Sequence, residues 1–185
     1  MKALSKSLLW LLSLALLAGC GTSETRTHSS PDGSVVQHVG QSGVKDDQSK
    51  PNVVQIAVSS KDHGTLVAAL KAADYVDALT NVGPFTVFAP TNAAFDALPV
   101  GTLETLTKKE NQRQLRDILE YHVLLGVYKS GDFVNGRKMG TADGRPVEIT
   151  VNGDGTVLIN GGKIIATVEA SNGIIHVIDR VLVPN

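Results

Sequence analysis

Cysteine is almost absent from this chain, whose 185 residues include Cys20 alone. A single cysteine cannot form an intramolecular disulfide, so the sequence excludes a disulfide-stapled fold. The fold must instead be stabilised by a hydrophobic core, and the hydrophobic content of 42% provides the residues for one ordinary globular domain.

Aromatic residues are also scarce, at 4% of the chain. The single tryptophan is Trp10, which lies in the N-terminal leader described below. Several of the remaining tyrosines and phenylalanines fall in patterns typical of a core. Few are therefore left for an exposed platform on which sugars or bases could stack.

The chain lacks a strong charge of either sign, with a formal net charge of −1. Nucleic-acid binders usually carry a basic face, and this composition gives no case for one. Removing Lys2 and Lys6 with the leader lowers the basic count from 17 to 15 against 18 acidic residues, a balance of −3. We therefore expect no nucleic acid among the partners.

A basic start and a short apolar run open the chain. Lys2 and Lys6 precede the apolar residues 8–17, and the small residues Ala18 and Gly19 follow. This arrangement is typical of a secretory signal and is shorter than the about 20 residues of a membrane span. It predicts a signal peptide over residues 1–19.

Leu17-Ala18-Gly19-Cys20 closely resembles the bacterial lipobox, in which the cysteine thiol receives a diacylglycerol and the peptide is cut just before it. The alternative is an ordinary secretory cleavage site beside an incidental cysteine. Two or three acyl chains such as palmitate, at roughly 0.8 kcal/mol per buried methylene, would anchor the protein durably. Cys20 is thus the predicted lipidation site and the membrane a predicted partner.

The residue after the cysteine and the segment beyond it bear on location. By resemblance to the sorting rule of two-membrane bacteria, Gly21 favours the outer membrane of the cell envelope; with a single membrane the rule is empty. Residues 20–51 are polar and without period, which predicts a flexible linker with a reach of roughly 30 Å. We interpret its His28 and His38 as solvated side chains rather than metal ligands.

Helical periodicity dominates the first half of the predicted domain, residues 52–185. Residues 53–58 fit either a short helix or a strand. Apolar spacing predicts an amphipathic helix over residues 66–79, a helical turn over 101–106 and a second helix over 111–122. His122 lies on the apolar side of that second helix.

The second half changes to a period of two. Strands are predicted over residues 123–128, 147–151, 157–160, 163–168 and 173–183, divided by turn residues. Residues 152–155 predict a hairpin rather than a calcium loop. The last strand is apolar on both faces, which predicts a central position. Helices early and strands late indicate the α+β class.

The stretch from Gly83 to Phe95 joins the two halves. An alternating run from Phe85 to Ala89 predicts a largely buried strand, and Pro90 ends it. Thr91 can cap a following short helix, which turns Phe95 back to the core. We expect this corner to have a structural role.

His122 and His176 are the natural candidates for acid–base catalysis. The sequence contains no Gly-x-Ser-x-Gly elbow, no His-Glu-x-x-His helix and no phosphate loop. Each histidine lies in an apolar pattern, which favours a neutral, hydrogen-bonded imidazole. Asp179 is expected inside a buried strand, paired with Arg180 or accepting backbone donors. We therefore predict no enzyme activity, cofactor or metal.

Three stretches occur in the order found in one known family. Residues 86–95 resemble the first signature box of the fasciclin domain, Tyr121-His122 its Tyr-His pair, and residues 172–184 its second box. The resemblance implies a β-sandwich or wedge with helices packed on it. The box residues that it marks as structural are Thr86, Phe88, Pro90, Thr91, Phe95, Asn172, Gly173, His176 and Asp179.

The resemblance also implies adhesion without chemistry. In animal members an Asp-Ile pair before the second box is linked to integrin binding, and here Thr167-Val168 occupies that place. Tyr121 and His122 match the Tyr-His pair, as binding or core-ordering residues. The leading hypothesis is a lipid-anchored envelope module that binds a protein or glycan. The alternatives are a periplasmic accessory that binds a small apolar ligand and, weakest, an enzyme.

Overall fold

The computed structural model describes residues 50–81 and 83–184, all within the compact unit His38–Asn185. The helices are α1 Val53–Ser59, α2 Gly64–Ala72, α3 Val76–Thr80, α4 Asn92–Asp96, α5 Thr102–Leu106 and α6 Gln112–Tyr121. The strands are β1 Phe85–Pro90, β2 Val123–Leu125, β3 Lys138–Gly140, β4 Pro146–Val151, β5 Val157–Ile159, β6 Gly162–Ala170 and β7 Gly173–Ile178. Short 3-10 turns lie at Lys61–His63, Lys109–Asn111 and Ser130–Asp132. The predicted signal peptide, Cys20 and most of the linker lie outside the described residues.

The opening element is a helix, which resolves the choice that periodicity left open. The side chain of Asn52 accepts from the backbone N–H of Gln55, and the Gln55 side chain accepts from the N–H of Asn52. This capping box satisfies backbone N–H donors at the start of the helix. It favours a helix where the β-branched residues alone suggest a strand. Val53 and Val54 of this helix are buried.

The continuous helix predicted over residues 66–79 was wrong. The chain breaks after Ala72, where Asp74 takes a left-handed φ of 52° and the N–H of Tyr75 bonds back to Leu70 O at 3.0 Å. Aspartate tolerates this conformation better than most residues. The apolar spacing continues across the break because α2 and α3 both pack on the same core.

The corner at residues 85–95 forms as predicted. β1 ends at Pro90, the Thr91 hydroxyl accepts from the N–H of Ala94 at 3.3 Å to cap α4, and Phe95 is buried. Both faces of the strand are covered, since Phe88 is fully buried on one face and Ala89 is 1% exposed on the other.

The strands form one sheet in the order β2-β1-β7-β6-β5-β4-β3. β7 lies between β1 and β6, as its two apolar faces predicted, and the two signature boxes pair as parallel neighbours from Phe85↔Gly173 to Pro90↔Ile178. A Cβ on Gly173 would collide with the carbonyl oxygen of Phe85, so only glycine fits this crossing.

The predicted strands differ from the observed ones at their ends, β7 most of all, and one strand was missed. β7 ends at Ile178 rather than Val183, although Val181 and Leu182 beyond it are buried. β2 stops at Leu125, and β3 has only Met139 buried, too little pattern for prediction. The predicted hairpin is present between β4 and β5.

The sheet separates two hydrophobic cores. The helix-side core packs α1, α2, α4 and α6 against Val87, Ala89 and Ile175. The strand-side core gathers the residues that point the other way, led by Phe88 and Ile178, with side chains from β2 to β5. Alternation along β1 and β7 thus assigns each neighbouring residue to a different core.

No helix in the described part of the chain is long and apolar enough to cross a membrane.

Candidate functional site

His122 follows the last residue of α6 and is 3% exposed. Its Nδ1 donates to the carbonyl oxygen of Ile118 at 2.8 Å, and its Nε2 accepts from the N–H of Leu182 at 2.9 Å. Burial lowers its pKa from 6.5 to about 4, so the ring is neutral. The ring joins α6 to the C-terminal segment and has no nitrogen left for acid–base work.

Tyr121 points toward the other half of the domain. Its hydroxyl donates to the carbonyl oxygen of Pro146 at 3.0 Å and accepts from Asn160 Nδ2 at 2.7 Å. The guanidinium of Arg145 lies 5.5 Å from the ring centroid. Tyr121 lines a polar surface cleft of about 280 Å³ together with Lys138 and Glu148. The Tyr-His pair thus links both halves of the fold.

His176 is fully buried in β7. Its Nε2 donates to the carbonyl oxygen of Tyr128 at 2.7 Å, and the hydroxyl of Thr167 donates to its Nδ1 at 2.9 Å. Its ring contacts that of Phe133 edge-on at 5.2 Å between centroids. Burial lowers its pKa. Like His122, this histidine is neutral and has both nitrogens bonded.

The first-box residues hold the neighbouring loop. The Thr86 hydroxyl donates to the carbonyl oxygen of Gly126 at 2.8 Å and accepts from the N–H of Tyr128 at 2.9 Å. Phe88 lies 6.0 Å from the His176 ring between centroids. Thr86 and His176 therefore fix the loop after β2 from two directions.

Asn172 holds the helices at the start of β7. Its Oδ1 accepts from the N–H of Val53 at 3.0 Å, and its Nδ2 donates to the carbonyl oxygens of Leu79 and Asn81 at 2.8 and 3.0 Å. One amide therefore joins α1, the end of α3 and β7. It has a positioning role.

The expected burial of Asp179 was wrong. It follows the end of β7 and is exposed, because the strand stops one residue earlier. Its carboxylate accepts from the N–H of Lys163 at 2.7 Å, one of the backbone contacts that the sequence left open. Asp179 therefore joins the end of β7 to the start of β6 and is not a buried acid.

The described residues do not assemble a catalytic group around either histidine. The Thr91 hydroxyl caps α4, and the ring nitrogens of His122 and His176 are taken up as described above. Within residues 50–81 and 83–184, no cluster of histidine, cysteine and carboxylate side chains could hold a metal ion. Cys20, His28 and His38 lie outside these ranges.

Sequence reasoning missed several partners of the site. Asn160 and Thr167 read as a turn residue and a strand residue, yet they bond Tyr121 and His176. His63 is 7% exposed, with Nδ1 2.8 Å from the Ser60 hydroxyl and Nε2 without a partner. The contacts of Asn160 and Thr167 depend on how separate elements pair, whereas His63 contacts Ser60 within its own turn.

An apolar groove of about 150 Å³ lies between the helices and the C-terminal segment. Its walls come from α2, α4, α5 and α6, and His122 contributes to its floor. Val183, 55% exposed, contributes to its lining. Pro90 is its lining residue from the sheet, and the alternative of a small apolar ligand between helices and sheet stays a prediction.

β6 presents the other apolar surface. Ile165 and Val168 are 55% and 38% exposed, and the charge of Glu169 is paired with Lys129 at 3.0 Å. Thr167 and Val168 stand at the place of the Asp-Ile pair. The structure thus puts that place on an exposed strand beside the buried His176.

The geometry defines a class of protein: a mixed α+β wedge whose signature residues hold its own segments together. Comparison with known sequences and structures agrees. The family model of the Fasciclin domain matches residues 61–184. This chain belongs to the fasciclin domain family.

Similar proteins come from distant organisms. Protein sll1483 of Synechocystis sp. is 48% identical over 133 residues, which cover 71% of this chain and 73% of that protein. Human periostin is 35% identical over 126 residues, 67% of this chain but 15% of periostin. The solved FAS1 domain pair of the insect cell adhesion molecule Fasciclin I matches with a TM-score of 0.64 at 22% identity, covering 72% of this chain and 51% of that one. This last likeness shows the fold.

Proposed function

We propose that this protein is a lipid-anchored, non-catalytic module of the bacterial cell envelope that binds a protein or glycan partner through its exposed surface. The observation that carries the proposal is the use of the signature side chains. Both ring nitrogens of His122 and His176, the Tyr121 hydroxyl and the Asn172 amide are all bonded inside the domain. These signature residues thus hold segments of the domain together.

Similarity to an adhesion molecule supports this proposal. The insect protein that shares the fold is described as a cell adhesion molecule. A domain that uses its signature residues internally leaves recognition to its surface residues. Partner specificity then resides in features such as the cleft beside Tyr121 and the exposed strand β6.

A binding assay with a mapped surface tests the proposal. We would display the full chain on lipid-coated beads and identify, by mass spectrometry and glycan analysis, what it retains from the organism's own envelope. Lys138→Ala with Arg145→Ala removes both cations of the Tyr121 cleft. Lys108→Ala with Arg113→Ala removes two exposed cations elsewhere and is the matched control.

The proposal predicts a specific macromolecule on wild-type beads that is missing from beads carrying unfolded chain. Loss with the cleft variant alone assigns the partner to the cleft, whereas loss with neither variant assigns it to another surface. Retention of nothing by a demonstrably folded chain contradicts a binding module.

The anchor is tested separately. Leu17-Ala18-Gly19-Cys20 supports lipidation at Cys20, and Gly21 supports the outer membrane. Metabolic labelling with palmitate should mark the wild-type chain and not Cys20→Ser. Protease treatment of intact cells should release the domain if it faces outward; release only after rupture contradicts adhesion to other cells and places the module in the periplasm.

The apolar groove favours a second candidate function, that of a periplasmic accessory that binds a small apolar ligand. An apolar groove of about 150 Å³ has room for a molecule about the size of benzene. Leu103 lies in the groove wall and is partly buried. Leu103→Trp should fill the groove and abolish binding, while Val100→Trp, at a fully exposed position, should not.

Native mass spectrometry of gently purified chain decides between these functions. A co-purifying small molecule that Leu103→Trp displaces supports the accessory. Repeated ligand-free spectra, with no stabilisation by benzene in thermal melts, contradict the accessory function. The binding module is then the remaining candidate.

A further inference from the structure

Strand β6 has a neighbour on one side only along most of its length. Its pairing with β7 extends from Ile164 to Ala170, whereas its pairing with β5 covers Gly162 and Lys163. Beyond Lys163, none of the described strands lies against the side of β6 that faces away from β7. Just past the end of β6, the N–H of Ser171 donates to Pro51 O at 3.0 Å; among the described residues, the main-chain groups of Thr167 and Glu169 have no backbone partner.

The register identifies which groups these are. The N–H of Phe85 donates to Asn172 O, so the even-numbered residues of β7 face β1 and the odd-numbered residues face β6. Ile175, which faces β6, is opposite Val168. The main-chain groups of Val168 therefore point to β7, and those of Thr167 and Glu169 point away from it.

The side chains leave this edge open. Residues 165–169 are all exposed, and Ile165 and Val168 are its large apolar members. Proteins usually protect free edges with lysine, proline or a bulge. Here a register shift between Ile164 and Ala166 disturbs only the beginning, and no lysine or proline follows it within the strand; Lys129 at 3.0 Å, with Lys50 nearby, offsets the charge of Glu169.

The size of the edge argues against a second copy as its occupant. A stretch of about six residues is about 20 Å long. Two copies that met only along it would bury much less than the about 1,200 Å² of a stable interface. An extended peptide needs no such area, because a row of donors and acceptors and two apolar side chains suit weak recognition that an anchored array strengthens.

We propose that the outer edge of β6, from Ile165 to Ala170, is a docking site for an extended, apolar-alternating segment of a partner protein, which joins the sheet as an additional strand. This inference rests on the proposed binding function and names its surface and its mode. The partner's main chain pairs with Thr167 and Glu169, and its side chains contact Ile165 and Val168.

The test uses the full chain in detergent and a capped, fluorescent peptide of alternating valine and threonine with a lysine at each end. Ile165→Lys with Val168→Lys should weaken binding of this peptide about tenfold, since both apolar cross-strand contacts are lost. The matched control is Val58→Lys with Val100→Lys, which places the same charges on exposed valines away from the edge. It should bind as the wild type does.

Two further measurements separate strand addition from simple apolar contact. A peptide of the same sequence with N-methylated amides has the side chains but no main-chain donors, and it should not bind. Amide hydrogen exchange should slow at Thr167 and Glu169 when the unmethylated peptide binds, while Val168, already facing β7, changes little.

Each contrary result has a definite meaning. No peptide binding, or equal binding of the methylated peptide, overturns strand addition. A dimer in sedimentation that the lysine pair dissolves makes a second copy the occupant. Slow exchange at Thr167 and Glu169 in the free chain, made fast by deleting residues 21–45, makes the linker the occupant. The last two results also overturn the proposal.

Failure here is distinguishable from failure of the binding function. If the beads retain an envelope partner that the peptide does not displace, the module binds through another surface. If the peptide binds as expected but the beads retain nothing, the edge accepts strands and the envelope function is wrong.

Discussion

The two cores on either side of the sheet are built differently. The helix-side core contains many small residues, such as Ala69, Ala89 and Ala94, and an apolar groove reaches it from the surface. The strand-side core is closed around Phe88 and the fully buried Ile149 and Ile159. Each core has one neutral histidine at its margin, His122 for the helices and His176 for the strands. The difference leaves space beside the helix-side core, whereas the strand-side core packs large side chains against one another.

The largest effect is expected from opening the closed core. Phe88→Ala removes a fully buried ring that lies 6.3 Å from that of Phe133, and it should lower the free energy of unfolding by about 4 kcal/mol in urea titrations. Phe85→Ala is the control on the same strand, because Phe85 is only partly buried against the helices. It should lose about half as much. Equal losses would contradict the contrast between the cores.

The second effect is a pH dependence that originates at the helix side. Burial lowers the pKa of His122 from 6.5 to about 4, so the unfolded chain binds a proton that the folded chain refuses between these values. The resulting stability is fully present above pH 6.5 and is lost as the pH falls toward about 4, by about 3 kcal/mol.

The check is urea unfolding at about pH 7.5 and about pH 4.5. His122→Gln should flatten the difference, since glutamine can both donate and accept but does not titrate. The pKa of His176 is also lowered by burial, so His176→Gln flattens the strand-side share in the same direction. A slope that neither variant changes would show that other groups govern it.

Asn172→Ala should have the third largest effect. It leaves the N–H of Val53 and the carbonyl oxygens of Leu79 and Asn81 without their amide partner, at about 2 kcal/mol. Asn111→Ala removes only an exposed bond to Thr105 and should lose less than about 1 kcal/mol. Thermal melts followed by circular dichroism measure both. If the two variants melt alike, Asn172 does not hold the helices to the sheet.

The smallest effect is expected at the joint between the halves. Tyr121→Phe keeps the ring and removes the hydroxyl that contacts Pro146 and Asn160, which should lower the free energy of unfolding by about 1 kcal/mol. Asn160→Ala should lose more, because it also removes the bond from the N–H of Glu148 at 2.7 Å and places alanine at a φ of 46°. The double variant should lose less stability than the sum of the two single variants, because both remove the same bond between Tyr121 and Asn160. Full additivity would contradict the coupling.

Sequence patterns predicted the elements whose burial is periodic. Phe88 and Ala89, which point to opposite cores, made β1 recognisable, and the two apolar faces of β7 predicted its central place. β3 could not be predicted because Met139 is its only buried residue. The break at Asp74 was hidden because the apolar residues on both sides face one core.

The candidate site divides in the same way. The apolar position of His122 predicted its burial, because helical spacing is local. The contacts of Asn160 with Tyr121 and of Thr167 with His176 depend on how strands from distant segments pair, which no local pattern contains. The free edge of β6 is likewise a property of the sheet order and of no single strand.

The parallel pairing of β1 with β7 also limits the order in which the parts of the fold can form. Phe85 pairs with Gly173 and Pro90 pairs with Ile178, so the centre of the sheet cannot close until residues 173–178 are available. Contacts so far apart along the sequence form slowly. Without β7, β1 lacks its parallel neighbour and the helix-side core lacks Ile175. The sheet therefore closes only when both signature boxes are present.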